Sequence, residues 1–206
     1  MSWLLLLLFP VVTFAANFPI GKVTQLKGSI TYLNYAPHSA VKPVALKQEA
    51  MTDGSFLTQD SAYMVITLFD GSYIRLNPKS KISFEYDEAS GTITTHLYSG
   101  SIKVYFHHPV PNPKAQKIIV KSADTSVETV EAKFSVVKSL LEDTSSVYVE
   151  KGAALVSLFE GPEKKDSEIV HAREMTSTVS KTHDIETPRP MTEKQLKFLQ
   201  PTNYLR

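Results

Sequence analysis

Short runs of β-forming residues, each closed by Gly, Asp, Asn or Pro, extend from position 21 to about 179, and this pattern limits the fold more than any other feature. The run 64–69 is apolar on both sides of an extended chain, as is typical of a central strand covered on two faces. In the run 102–106, apolar side chains alternate with Lys103 and Tyr105. Because the spacing has period two and almost no helical period occurs, the sequence predicts an all-β fold.

A short motif recurs along these runs: a glycine, then a small residue, then an apolar or aromatic one. Its spacing is irregular, so it is not the repeat of a strict solenoid. The motif indicates successive hairpins or coils, and two architectures remain open, an antiparallel twisted β-sandwich and a solenoid-like stack of hairpins. Its occurrences are Gly28-Ser29-Ile30, Gly71-Ser72-Tyr73, Gly91-Thr92-Ile93, Gly100-Ser101-Ile102 and Gly152-Ala153-Ala154.

Helix signals are concentrated near the C-terminus. Thr192 and Gln195 have the spacing of a capping box, and Met191 can pack onto Leu196, so we predict a helix of about two turns that ends before Pro201. Residues 181–190 combine charge with two prolines and are predicted to be a linker. The apolar side chains of this tail predict a helix that either docks on the β domain or is presented to a partner. They are Met191, Leu196, Phe198 and Leu199.

The N-terminal segment has the pattern of an export signal. An apolar run too short to span a bilayer precedes Thr13 and Ala15, two small residues at the spacing of a signal-peptidase site. We predict cleavage after Ala15 or Ala16, a periplasmic or secreted protein, and no transmembrane anchor in the mature chain. The predicted organisation is therefore a signal peptide (1–15), a β domain (16–180) and a linker with a helical tail (181–206).

Composition excludes several classes of function. The chain has 206 residues with 22 basic and 21 acidic side chains, a balance that disfavours nucleic-acid binding. It has no cysteine, which excludes disulfides, thiolate nucleophiles and thiolate metal sites. With 42% hydrophobic residues, the chain can bury a core without covalent staples.

The turn motifs resemble those of a known family. The stretch 68–82 is similar to the signature hairpin of the FecR domain, in which a strand, Asp-Gly-Ser, a second strand and an Asn-x-x-Ser turn follow in order. Family-like strands also occur around 97–104 and 147–152, and the resemblance covers about 21–179. The residues of the turn motif are Asp70, Gly71, Ser72, Asn77, Ser80, Gly100 and Gly152.

The resemblance departs from the family pattern at two turns. The stretch 130–136 lacks the usual Gly-Thr pair, and Arg173 occupies a position where the family has a glycine turn. The resemblance implies an extracytoplasmic β domain of the kind found in regulators of iron-uptake signalling. Those regulators add an anti-sigma segment, a transmembrane helix and a further domain, so we do not expect their transmembrane signalling role to transfer.

The sequence contains three patterns whose residue spacing could indicate a catalytic or metal-binding site. Ser135 and Lys138 have the Ser-x-x-Lys spacing, but in a β run, where residues three apart face opposite ways. His107-His108 could join His96 at a metal only if their strands are neighbours. Carboxylates that could act as a glycosidase pair are Asp87-Glu88, Glu142-Asp143 and Glu128 with Glu131. The sequence predicts no catalytic residue, no cofactor and no metal.

Tyrosines are spread through the predicted strands, several of them opposite an aliphatic face. Exposed tyrosine on a sheet can anchor a protein partner or stack on a sugar. We predict Tyr63, Tyr73, Tyr98 and Tyr105 as partner-binding residues of a non-enzymatic module that binds an unidentified envelope protein or glycan. The alternatives are an envelope glycan hydrolase that uses a carboxylate pair, and a remnant sigma-factor regulator that binds a sigma factor or an outer-membrane transporter.

Overall fold

The computed structural model describes residues 17–35, 41–107, 116–139 and 141–199, which form seventeen strands and one helix. The chain is thus nearly all β with one short helix, as predicted. The strands are β1 Pro19–Lys27, β2 Ile30–Asn34, β3 Lys42–Pro43, β4 Glu49–Met51, β5 Gly54–Thr58, β6 Tyr63–Leu68, β7 Tyr73–Leu76, β8 Lys81–Asp87, β9 Thr92–Phe106, β10 Lys117–Ser122, β11 Thr125–Thr129, β12 Ala132–Ser139, β13 Thr144–Glu160, β14 Glu163–His171, β15 Glu174–Val179, β16 Asp184–Ile185 and β17 Arg189–Pro190; the helix is α1 Glu193–Leu199.

Strand pairing forms two ladders. Ladder I has the order β4-β1-β6-β7-β9-β12-β13-β15, with β16 and β17 paired to β15. Ladder II has the order β3-β2-β5-β8-β9-β10-β11-β13-β14. Strands β9 and β13 belong to both ladders, so the two ladders are joined through continuous backbone.

Two glycines allow these long strands to change ladder. Gly100 in β9 has φ +80 and Gly152 in β13 has φ +78, values that disfavour any side chain. A Cβ at Gly100 would lie 2.4 Å from the Ser80 hydroxyl oxygen, and one at Gly152 would lie 2.5 Å from the Glu131 carbonyl. The sequence pattern predicts separate runs around each glycine, whereas the structure has one strand passing through each.

One described pairing differs from the predicted antiparallel arrangement. The first half of β9 and β10 run parallel, with Thr92 beside Lys117 and His96 beside Lys121, while the other described pairs are antiparallel. The reason is that β9 leaves ladder II for ladder I at Gly100. The chain re-enters ladder II at the end where β9 began, with Lys117 beside Thr92, so β10 follows the same direction.

Buried side chains from both ladders pack into one cluster. Ladder I contributes Ile66, Ile74, Val104, Phe134 and Val147, and ladder II contributes Phe56, Phe84, Val120, Val127 and Val156. Each fully buried side chain of this kind contributes about 1.5–3 kcal/mol relative to an exposed one. Since these residues pack against one another, each ladder depends on the other for its core.

Strand β14 and the segment 181–190 depart from what the sequence suggests. Strand β14 is mostly charged and exposed and has no apolar alternation, yet it pairs along its length with β13. Within 181–190, the short strands β16 and β17 pair with β15. Arg173, between β14 and β15, has φ +70 and donates its amide to the Val149 carbonyl at 2.7 Å, so this turn keeps a left-handed geometry without glycine.

Helix α1 docks on ladder I. Its start has the predicted cap: the Gln195 amide donates to the Thr192 hydroxyl at 3.3 Å, and the Thr192 amide donates to the Gln195 side chain at 2.8 Å. Met191 and Leu199 are buried against Met175, with Tyr148 and Leu196 at the margin. Among the described residues, no helix is long and apolar enough to cross a bilayer. The predicted signal peptide lies outside the described residues.

Candidate functional site

The Asp-Gly-Ser turn between β6 and β7 is held by its own side chains. The Ser72 amide donates to one Asp70 carboxylate oxygen at 2.9 Å, and the Ser72 hydroxyl contacts the other at 3.1 Å. The same hydroxyl lies 2.9 Å from the His107 carbonyl and accepts the His107 amide at 3.0 Å. Asp70 and Ser72 are buried, so this turn fastens the hairpin to the end of β9.

A second polar group surrounds the bend in β9. Ser80 accepts the Ser101 amide and lies within donating distance of the Ser101 carbonyl, both at 2.9 Å. The Asn77 side-chain amide donates to the Ser101 hydroxyl at 3.0 Å. The adjacent Gly100 has no side chain to obstruct these bonds. The signature residues at this bend therefore contact one another and the backbone around the point where the chain changes ladder.

Three of the four predicted tyrosines lie on the outer face of ladder I. Tyr73 and Tyr105 are paired in register on β7 and β9, with ring centroids 5.3 Å apart. The Arg75 guanidinium lies 4.7 Å from the centre of the Tyr63 ring. Together with Lys133 of β12, these side chains define what we call the tyrosine face. All of these side chains are half-buried, so each packs against its neighbours on one side and is open to solvent on the other.

Tyr98 belongs to the other ladder. It lies in the half of β9 that pairs with β8, and its hydroxyl is 2.9 Å from that of Ser83. Lys81 sits over its ring at 5.3 Å and His96 stacks on it at 6.3 Å. The structure therefore separates Tyr98 from the tyrosine face, because Gly100 sends the two halves of β9 into different ladders.

Glu150 links two lysines beside the tyrosine face. Its carboxylate lies 2.5 Å from the Lys103 ammonium and 2.8 Å from the Lys133 ammonium. Burial lowers the pKa of Lys103, which is 8% exposed beneath α1. Burial is the largest single effect on Lys133 and opposes its charge, but the hydrogen bond and the negative charge of Glu150, together with Tyr73, outweigh burial and raise the pKa of Lys133. Burial raises the pKa of the Tyr73 hydroxyl above its ordinary value.

A groove of about 270 Å³ opens at the edge of the tyrosine face. Its wall includes the Tyr105 ring, and the His107 ring lies 5.9 Å from it. The His107 Nδ1 is 2.9 Å from a Glu131 carboxylate oxygen. Lys133 and the exposed Lys151 complete the polar lining, and Gly152 lies beside them. The groove thus combines an aromatic wall with groups that can donate and accept hydrogen bonds.

A second cavity, of about 340 Å³, lies at one end of the ladders. It is lined mainly by apolar and aromatic side chains from β1, the β6–β7 hairpin and the β8–β9 hairpin, with Asp70 and Glu88 among them. Asp70 is already bonded to Ser72 in the turn. This cavity therefore offers apolar surface with few uncommitted polar groups.

Comparison with known proteins identifies the family. Residues 55–155 match the family model described as "FecR protein". The chain carries a FecR domain. The match confirms the family that the turn motifs predict, although it is shorter than the stretch 21–179 that shows the resemblance. It includes all seven turn-motif residues and all four predicted tyrosines.

The FecR-domain chain also resembles solved structures in fold. Two crystal structures of a protein described as a "putative anti-sigma factor", from Parabacteroides distasonis ATCC 8503, match with a TM-score of 0.56 at 17% and 16% sequence identity. The alignments cover 71% of this chain, and 65% and 64% of the neighbours, so it spans slightly less than two thirds of their length. At this identity the likeness establishes the fold alone. No curated protein matches the sequence.

The histidines and the serine pattern occupy separate places in the FecR-domain chain. Ser135 lies inside β12, paired with Lys103 and Tyr148, rather than at a helix start. His96 contacts Glu85 at 3.1 Å in ladder II, while His107 directly follows the end of β9 that pairs in ladder I. His108 lies outside the described residues. Within the described ranges, no three His, Asp or Glu side chains form a group that could hold a metal ion.

The carboxylate candidates have local partners. Asp87 accepts bonds from the turn that follows it, including the Ser90 hydroxyl at 2.5 Å, and this hydrogen bond lowers its pKa. Glu128 pairs with Lys117 at 3.1 Å, and Glu131 with His107. Glu142-Asp143 forms the β12–β13 hairpin turn, where Asp143 has φ +51.

The charged part of this site is not apparent as a group in the sequence. Arg75, Lys103, Lys133 and Glu150 each stand on the polar side of an alternating run, and that period-two signal is visible in the sequence. What the sequence does not display is that β7, β9, β12 and β13 are successive neighbours. Only the strand order brings these charges beside the tyrosines.

Proposed function

We propose that this FecR-domain chain is a non-enzymatic binding module that works outside the cytoplasm and contacts an envelope partner through the tyrosine face. The two ladders, arranged as a twisted β-sandwich, would serve as the rigid support for that face. The supporting observation is the geometry: Tyr63, Tyr73 and Tyr105 share one outer surface with Arg75 and Lys133. Tyrosine and arginine are enriched among the residues that dominate binding energy at protein interfaces.

The family gives the module a context. Membership of the FecR family and a fold shared with proteins described as anti-sigma factors suggest a role in regulatory signalling. In this proposal the chain contributes recognition to such a pathway. Typical FecR proteins are regulators that face the periplasm, which agrees with the export signal predicted from the sequence.

Site-specific crosslinking in intact cells tests the tyrosine face. A photoreactive phenylalanine analogue is placed at Tyr63 or Tyr105, and, for comparison, at Tyr98 or at the exposed Lys121 of ladder II. We expect a discrete crosslinked product from the first two positions and none from the other two. The product from position 63 should also diminish when Tyr105→Ala is added. Equal products from all four positions, or none from positions 63 and 105, would refute the proposal.

The non-enzymatic part has its own test. The purified chain is incubated with envelope glycans, and the release of reducing ends is measured. We expect no release above that of buffer. Turnover that disappears in Glu131→Gln but persists in Glu163→Gln, an exposed carboxylate on β14, would instead support the hydrolase alternative.

A further inference from the structure

We infer that the groove beside Tyr105 binds an acidic sugar, that is, a monosaccharide unit carrying a carboxylate. This inference deepens the proposed function, on which it rests, because the groove adjoins the tyrosine face and Tyr105 and Lys133 belong to both. It names the chemical class of the ligand and the side chains that would recognise it.

The aromatic wall of the groove is held in place from both sides. Tyr73 lies 5.3 Å from the Tyr105 ring and His107 lies 5.9 Å from it, so the ring has little freedom to turn. All three side chains are half-buried, which keeps part of the Tyr105 surface open. A fixed tyrosine ring with an exposed edge and a polar hydroxyl is suited to contact the apolar face of a sugar ring.

Hydrogen-bonding groups border the ring. The His107 Nδ1 and a Glu131 oxygen are 2.9 Å apart and belong to side chains that are partly exposed. An imidazole and a carboxylate together offer both donors and acceptors. Adjacent hydroxyls of a sugar need both donors and acceptors. An apolar ligand would leave these groups of His107 and Glu131 unused.

The charge of the groove favours an anion. Lys133 and Lys151 line it, against the single carboxylate of Glu131. The Lys133 ammonium is oriented by one Glu150 carboxylate oxygen at 2.8 Å. The other oxygen of that carboxylate lies 2.5 Å from the Lys103 ammonium. Lys151 is exposed at the rim, where an ammonium can meet a carboxylate of the ligand. These cations are the feature that distinguishes an acidic sugar from a neutral one.

The size of the groove restricts the ligand further. About 270 Å³ lies just below the ~300–1,000 Å³ of pockets that enclose drug-sized ligands. A single sugar unit, free or at the end of a glycan, matches this volume. An acidic peptide would satisfy the lysines but would bring no ring to the Tyr105 wall, so the geometry favours the sugar.

A titration with a matched pair of sugars tests the inference. The full chain, labelled with ¹⁵N, is titrated with D-glucuronate and with D-glucose, and amide chemical shifts are followed. We expect glucuronate to shift the amides of 105–107, 131–133 and 151–152, and to bind about fivefold more tightly than glucose, the ratio that one exposed ion pair supplies. Tyr105→Leu should weaken both sugars, whereas Tyr98→Leu should change neither.

Charge variants isolate the role of the lysine. In Lys151→Gln the preference for glucuronate should fall to about equal binding of the two sugars, because that variant loses the exposed ion pair. Lys121→Gln removes one positive charge from an exposed position of β10 in ladder II and should leave the preference unchanged. Equal binding of both sugars by the original chain would refute the acidic specificity.

Two further results would overturn the inference. One is the absence of shifts in the groove with either sugar at ~20 mM, a concentration well above typical weak binding. The other is a tetraglutamate peptide that shifts the same amides at lower concentration than glucuronate. If crosslinks from position 63 persist in cells in either case, the proposed function stands and the sugar assignment alone fails; if those crosslinks are also absent, both fail.

Discussion

Gly100 shows how a single residue permits the fold. Its left-handed φ lets β9 turn from ladder II into ladder I, and the Ser80 hydroxyl and Lys79 carbonyl fill the space a side chain would need, at 2.4 and 2.5 Å from an ideal Cβ. Gly161 also has a left-handed φ, of +60, but nothing lies within 4 Å of its Cβ position. A side chain at Gly161 would therefore meet backbone strain alone, whereas a side chain at Gly100 would meet both backbone strain and steric conflict.

We predict that Gly100→Ala destabilises the chain by about 3 kcal/mol and Gly161→Ala by about 1 kcal/mol. Left-handed backbone costs an alanine roughly 1–2 kcal/mol, and a contact that must be relieved inside packed structure adds about 1–3 kcal/mol. Urea unfolding, with the slope unchanged, measures both values. Equal losses in the two variants would show that the contacts around Gly100 relax freely.

Glu150 is the second residue whose place in the fold predicts its energetic effect. It pairs with Lys103, which is 8% exposed, and with Lys133. We predict that Glu150→Gln costs about 3 kcal/mol at neutral pH, since removing one partner leaves a buried charge uncompensated. Glu128→Gln, which breaks the more exposed pair with Lys117, should cost about 0–1 kcal/mol.

The loss of stability in Glu150→Gln should depend on pH with a definite sign. The pKa of Lys103 is lowered by burial, so between that pKa and the ordinary one the unfolded chain binds more protons and stability rises with pH. The raised pKa of Lys133 gives stability that is present below the ordinary lysine pKa and is lost as pH rises. The Lys103 effect shrinks the deficit of Glu150→Gln between about pH 7 and about pH 10, whereas the Lys133 contribution is lost only above about pH 10. A deficit that grows over this range in urea unfolding would contradict the assignment.

Among the elements, α1 is held by a small contact. It buries Leu199 with Met191 against Met175, apart from the main core cluster, and the Lys103 ammonium donates to the Leu199 carbonyl. Elements with few buried contacts open locally at a lower free energy than the core. Helix α1 is therefore expected to open independently of the ladders, exposing Lys103 and Tyr148.

We predict that Leu199→Ala speeds amide exchange in α1 by about 30-fold, which corresponds to about 2 kcal/mol, the low end for a buried leucine. Exchange of the β12 amides should stay unchanged, because their protection reflects the shared core. Lys194→Ala, an exposed substitution on the same helix, serves as the control. Faster exchange in β12 as well would mean that α1 and the ladders open together.

At the scale of the whole molecule, the two ladders form one structural unit. Strands β9 and β13 run through both, and their side chains meet in one buried cluster. Neither ladder can unfold without exposing the core of the other. This arrangement differs from a stack in which each hairpin contacts only its neighbours.

We predict a single cooperative unfolding transition. Far-ultraviolet circular dichroism and the near-ultraviolet tyrosine signal should give the same midpoint in urea. Val104→Ala in ladder I and Val156→Ala in ladder II should each shift that one transition by about 2 kcal/mol, as expected for fully buried valines. Two transitions, each moved by one of the variants, would show that the ladders unfold separately.

Much of the fold was predictable because its signals are local. Strand β6 closely matches the apolar run 64–69, and the Thr192–Gln195 cap starts α1 as expected. Strand β14 was not predicted, since its charged residues show no alternation and its structure comes from pairing with β13. In the site, the sequence indicated tyrosines one by one but not their grouping, which separates Tyr98 from the others.

Local spacing is enough to predict the all-β class, the FecR turn motifs and the capped helix, because each depends on a few neighbouring residues. Long-range packing, in contrast, is what takes β9 and β13 through both ladders, places Lys103 beneath α1 and forms the groove beside Tyr105. These features join residues far apart in the chain. Strand order and burial set them, and no local pattern encodes which distant strands become neighbours.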